Sequence, residues 1–152
     1  MDKLSLSLQG DLLSYQAKQY GNRYLATVEI GTMLQATKNM RIGFHVFNPF
    51  SQKLNDIEYV PSVFRLGVLY SLSKNVEMMM EVEKDLIYDF NIKAGINYQP
   101  IENFSIRAGF GSAGKQFHLG LAYTFGEFTI HGSASVHQQL GISSAAEVSY
   151  QN

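Results

Sequence analysis

The chain has no cysteine and no tryptophan among its 152 residues. Without cysteine there is no disulfide framework, no thiol nucleophile and no thiolate metal site to argue from. A run of about eighteen apolar residues is also missing, which excludes a helical membrane span. Charge of one sign is lacking too: twelve basic residues face thirteen acidic ones. Electrostatics therefore imply no nucleic acid or other polyanion as partner. No segment keeps a helical period for longer than a turn. The N-terminus, MDKLSLSLQGDLL, shows no basic segment followed by an apolar run and a small-residue cleavage site.

What the chain does have is period two. From Asn91 to Glu127 the apolar side reads Ile92, Ala94, Ile96, Tyr98, then Phe104, Ile106, Ala108, Phe110, then Phe117, Leu119, Leu121, Tyr123, Phe125. The other side carries Lys93, Gly95, Asn97, Ser105, Arg107, Gly109, His118, Gly120, Ala122 and Thr124. Successive side chains leave a strand on opposite faces, so this is a β signal. A bulky unbroken face opposite one of charge and glycine suits a sheet with lipid outside and a wet or ion-paired interior. Near-neutral hydropathy is compatible with this, because spanning strands are only about half apolar.

The pattern predicts ten strands in a single domain over 1–152, at 3–19, 23–37, 40–48, 62–73, 76–84, 91–99, 104–111, 116–125, 128–137 and 142–150. Tight polar turns (Lys38-Asn39, Lys74-Asn75, Pro100 to Asn103, Gly126-Glu127) alternate with connections that are mostly longer. The expected fold is all-β: an antiparallel, up-and-down transmembrane β-barrel of the outer-membrane kind, with short turns at the periplasmic rim. An even strand count puts both chain ends at that rim. The absent export signal, and a first segment that already alternates Leu4, Leu6 and Leu8 with Ser5, Ser7 and Gln9, point to a mature form or to the tail of a longer protein.

Three groups of residues stand out within this frame. Tyr70, Tyr98, Phe104, Tyr123, Phe125, Phe128 and Tyr150 fall on the outward phase close to a turn or the C-terminus, as an interfacial aromatic girdle would. Arg65, Glu81, Glu83, Lys93 and Arg107 fall on the inward phase, where alternating sign lets each charge find a partner in a narrow lumen. The long connection from Asn48 to Pro61 carries Phe50, Leu54, Ile57 and Tyr59 and is the candidate for contacting a partner, or for folding inward as a plug. Inward glycines, Gly43, Gly67, Gly95, Gly109 and Gly120, are expected to relieve crowding or permit bends.

Catalytic and cofactor chemistry finds little footing. His131 and Ser133 share a strand phase and Glu147 lies on the next strand, the residue types of an acyl-ester hydrolase. That phase faces the lumen, whereas a lipid substrate arrives from outside. The histidines have no paired metal-ligand spacing. Gly109, Gly111 and Gly114 follow a strand but open no helix, so a dinucleotide fingerprint is rejected and no cofactor is expected.

From Met40 onward the chain resembles a known family. The residues that carry the resemblance are GFHVFNPF (Gly43 to Phe50), PSVFRLGVLYSLSKNVEMMMEVEK (Pro61 to Lys84), NIKAGINYQPIENFSIRAGF (Asn91 to Phe110) and HQQLGISSAAEVSY (His137 to Tyr150). They resemble the C-terminal part of the Bacteroidetes outer-membrane barrels related to PorV and PorQ, themselves FadL-like. The resemblance implies a barrel of about fourteen strands, within the range such proteins span. It also implies a role in type IX protein secretion or in transport of small apolar compounds, with envelope proteins as partners. The chain departs from the pattern in lacking the family's N-terminal segment and in ending Tyr150-Gln151-Asn152. A soluble ten-stranded barrel of the fatty-acid-binding kind is the competing expectation. Against it stand the missing helix pair after the first strand, the alternating loop lengths and the aromatic girdle.

Overall fold

The computed structural model describes residues 3–17, 21–50, 60–138 and 141–150. Ten strands follow one another: β1 (Leu4–Ala17), β2 (Gly21–Gln35), β3 (Met40–Phe47), β4 (Val63–Ser71), β5 (Val76–Asp85), β6 (Asn91–Ile101), β7 (Phe104–Gly111), β8 (Gln116–Phe125), β9 (Phe128–His137) and β10 (Gly141–Tyr150). They form one antiparallel sheet in sequence order, so each strand finds its partners through a hairpin rather than a crossover. The described residues contain no helix.

The sheet is not closed. β1 and β10 each have a single neighbour, and the ladder ends at both. A folded monomer of 17.1 kDa is expected to expose about 7,800 Å², whereas this chain exposes 11602 Å². The excess comes from a single layer, on whose apolar side none of the described residues packs as a second layer. Val46, Val60 and Ala122 are the only hydrophobic residues buried among those described, while Leu6, Leu8, Leu12, Met80, Leu119 and Ile142 are each more than half exposed.

Parity propagates through the sheet without error. One continuous pairing row runs Leu4, Leu34, Ile42, Val68, Met80, Ala94, Phe110, Phe117, Val136, Ile142. Every member is apolar, because residues directly opposite in a ladder share a face. Among the described residues the single register slip falls between Tyr98 and Ile101. There β6 runs on to Ile101, past the expected turn start at Pro100, because a bulge tolerates a residue with no N–H to donate. The β6–β7 connection shortens to two residues, Glu102 and Asn103.

The rims differ less in loop length than the alternation suggested. At the rim carrying β2–β3, β4–β5, β6–β7 and β8–β9 (the turn rim) the connections are 36–39, 72–75, 102–103 and 126–127. Gly126, at φ +57°, supplies the left-handed start that a primed two-residue hairpin turn needs. At the other rim they are 18–20, 48–62, 86–90, 112–115 and 138–140, so only one is long. The described chain begins and ends at the turn rim.

The long connection is anchored at its root. Asn48 is fully buried and left-handed, with φ at 48°, a conformation that asparagine accepts more readily than most side chains. Its N–H donates to Val28 O at 2.8 Å, and its amide Nδ2 donates to Val60 O at 3.3 Å and Pro61 O at 3.1 Å. Ser62 Oγ donates back to Asn48 O at 2.6 Å. These bonds fix the two ends of the loop together whatever lies between them.

Asn48→Ala is therefore expected to cost about 2–4 kcal/mol, from two buried hydrogen bonds and left-handed strain. Asn48→Gly removes the strain and should recover about 1–2 kcal/mol of that loss. Denaturant titration of the folded protein checks the order of the two variants.

Candidate functional site: the charged face of the sheet

The polar phase of β1 to β6 lines a trough of about 1040 Å³. Ser5 and Ser7 at one wall and Lys93 and Gly95 at the other border the same space, so the sheet curls with its charged phase on the concave side. Within it the ladder sets charges beside one another. His45, Arg65, Glu83 and Asn91 occupy one pairing row, and Gly43, Gly67, Glu81 and Lys93 the next.

Glu83 is the hub. Its Oε2 accepts from Arg65 Nε at 2.7 Å and from Lys93 Nζ at 2.8 Å, and its Oε1 accepts from Asn91 Nδ2 at 3.4 Å. Lys93 Nζ also reaches Glu81 Oε1 at 2.9 Å. Two cations thus share two carboxylates across three strands. The Glu83 side chain keeps only 19% of its exposure, against 39% and 40% for Arg65 and Lys93. The carboxylate is the member that depends on its partners, while both cations retain water.

Of the five residues expected in this network, four are joined. Arg107 is not. It lies on the same face but one pairing row below the Gly95–Gly109 pair, opposite Asn97 and Gly120, and among the described residues no ion pair joins it to Glu81. The pairing row of Glu81 and Lys93 reaches β7 at Gly111, two same-face positions away from Arg107, which carries Arg107 out of the network. Asn97 turns instead toward Glu77, donating from Nδ2 to Oε2 at 3.4 Å.

Two partners were not anticipated by pairing. Asn91 completes the acceptor set of Glu83 from the first residue of β6. His45 and Glu29 contact through Nε2 and Oε2 at 3.0 Å, a diagonal pair, since His45 stands opposite Gly31 rather than Glu29. Phase alone could have found both faces, but not which positions are diagonal neighbours.

The glycines show space rather than crowding. A methyl group at Gly43 or Gly67 would meet nothing nearer than a neighbouring backbone carbonyl, at 3.9 and 3.6 Å. These are ordinary van der Waals distances, so the crowding expected at these positions is absent in the open sheet.

His131 stands directly opposite Glu147, and Ser133 opposite Ala145 and Gly120. No hydrogen bond joins His131, Ser133 and Glu147 among the described residues. No group of three or more potential metal ligands gathers there either.

The aromatic residues follow a slanted line. Measured along each strand from the row that starts at Leu4, Tyr70 lies two residues toward the turn rim and Tyr98 four. Phe104 and Tyr123 lie six, and Phe125, Phe128 and Tyr150 eight. Rings touch where the line crosses β8 to β10: Phe125 stacks on Phe128 at 5.8 Å, and Phe128 meets Tyr150 at 5.2 Å. Of the partner-loop residues, Phe50 is exposed; Leu54, Ile57 and Tyr59 lie outside the described residues.

Glu83→Gln is expected to cost about 1–2 kcal/mol, between the values for an exposed pair and a buried one. Glu77→Gln, whose contacts are with the neutral Ser71 and Asn97, should cost less than about 1 kcal/mol. Equal losses in denaturant titration would contradict a hub at Glu83.

Compared with known proteins, the chain matches no family model, no curated protein and no solved structure.

Proposed function

We propose that this chain is a non-enzymatic outer-membrane β-barrel protein, with lipid against its apolar face and water in its trough. The observation that carries the reading is the sidedness of the sheet. The convex face is apolar and exposed across all ten strands, including Leu6 at 76% and Leu119 at 63%, while the concave face holds the ion-paired charges. In water such a face is an aggregation hazard; in a bilayer it is the required surface. The belt of seven aromatic residues supports the same assignment, since amphipathic rings favour the membrane interface. A fatty-acid-binding barrel needs the opposite curvature, with apolar side chains turned inward.

Within that class the resemblance to PorV- and PorQ-type barrels favours assistance to type IX secretion or movement of small apolar compounds. The exposed Phe50, at the edge of the anchored loop, is a natural contact for another envelope protein. Co-purification of a secretion partner supports the first role, and single-channel conductance or ligand uptake in vesicles supports the second.

Sidedness gives a sharp test on one strand. Met79 and Met80 are adjacent on β5 and so face opposite ways: Met79 shares the trough face with its partner Gly95, and Met80 lies on the outer face, 60% exposed. In lipid vesicles Met80→Arg should cost about 2–4 kcal/mol of folding free energy, and Met79→Arg less than about 1. Similar small losses for both, or full solubility of the refolded protein without detergent, would overturn the membrane reading. Heat-modifiable migration on a gel in detergent is the expected signature.

A further inference from the structure

The two sheet edges are where the backbone is least provided for. Along β1 and β10 every second residue presents an N–H and a C=O that no strand meets. Among their described residues neither edge has a proline, a register slip or a charge on the outward phase, three of the devices that protect natural edges; Asp11 and Glu147 are charges on the other phase. In hydrocarbon an edge of this kind does not persist.

We propose that β10 pairs with β1 of the same chain, closing a ten-stranded barrel in the register that sets Leu8 opposite Val148. The proposal rests on the membrane reading above and adds to it a specific seam. Four observations select it. An even number of strands makes β1 and β10 antiparallel, so their edges are complementary without inverting the chain. Parity then restricts the register, because Leu4, Leu6 and Leu8 must share a face with Ile142, Val148 and Tyr150.

The stagger of the sheet narrows the choice further. From Tyr70 on β4 to Tyr150 on β10 the aromatic line descends six residues in six strand steps. At a rise of about 3.3 Å per residue and a spacing of about 4.8 Å, that corresponds to a strand tilt of about 35°. Barrels close at tilts of about 35–45°. Carrying the same slope once round the circumference brings Val148 to Leu8. Leu6 opposite Val148 would flatten the tilt to about 29°, outside that range. Gly10 opposite Val148 would set Asp11 directly against Glu147, two carboxylates on the lumen side. The chosen register sets Gln9 against Glu147 and Leu6 against Tyr150, continuing both the polar face and the apolar one.

Length agrees with this. β1 spans 14 residues and β10 spans 10, so β10 fits wholly within β1 and leaves two residues of β1 over at each end.

The absence of native cysteine makes the test clean. Residues directly opposite have Cα atoms about 4.5–5.5 Å apart, inside disulfide range, whereas diagonal neighbours at about 7–8 Å are not. The pairs Leu8→Cys with Val148→Cys and, on the other face, Gln9→Cys with Glu147→Cys should oxidise to intramolecular disulfides in the protein folded in lipid. The offset pairs Leu6→Cys with Val148→Cys and Gly10→Cys with Val148→Cys should crosslink at least about fivefold less. Crosslinks found only between molecules, or an offset pair winning, would overturn the seam. So would the absence of any crosslink in protein that still migrates as a heat-modifiable species, which leaves the membrane reading standing. A protein that stays soluble without detergent overturns both.

Discussion

The antiparallel ladder is the constraint on which everything else in this protein depends. Among the described residues no second layer packs on the sheet, so no contact from such a layer corrects a strand that slips. A shift of one residue anywhere would turn every later side chain to the other face. The row from Leu4 to Ile142 crosses ten strands with no polar member, so each hairpin preserves the phase handed to it. Even the bulge beside Pro100 sits beyond the last residue that this row uses. Sidedness is thus a cumulative property of nine turns, not of any one strand.

The charged face inherits its geometry from the same ladder. Arg65 and Glu83 meet because they are directly opposite, and Lys93 reaches both Glu81 and Glu83 because one is opposite and the other diagonal. Gly43 and Gly67 beside them leave the long cationic side chains room to lie along the wall. The resulting network has two cations on two carboxylates, and water reaches both cations. Its worth to stability is accordingly closer to that of a partly exposed pair than to that of a buried one.

Much of this was legible from residue spacing, and the reason is physical. Strand existence and facing follow from period two, which is local, so all ten strands and the inward phase of Arg65, Glu81, Glu83, Lys93 and Arg107 could be read directly. Pairing register is not local. It depends on whether a turn uses two residues, as at 126–127, or four, as at 36–39, and on the slip beside Pro100. That is why the network was expected to include Arg107 and does not, and why the diagonal contact of His45 with Glu29 was not foreseen. The buried Asn48 was illegible for a different reason. Its partners are backbone carbonyls at Val60 and Pro61, across a loop whose span carries no periodic signal.

Every ladder in the sheet joins strands that are neighbours along the chain, which has a kinetic consequence. Folding needs little long-range search at any step up to the tenth strand, because every hairpin but that across 48–62 closes a short loop onto an edge already formed. The chain therefore behaves as a one-dimensional array, in which order spreads from hairpin to hairpin. Closure as proposed above would be the one pairing to span the full sequence, and loop-closure entropy would make it the costly step. Substitutions in the middle strands should then alter how fast the array grows.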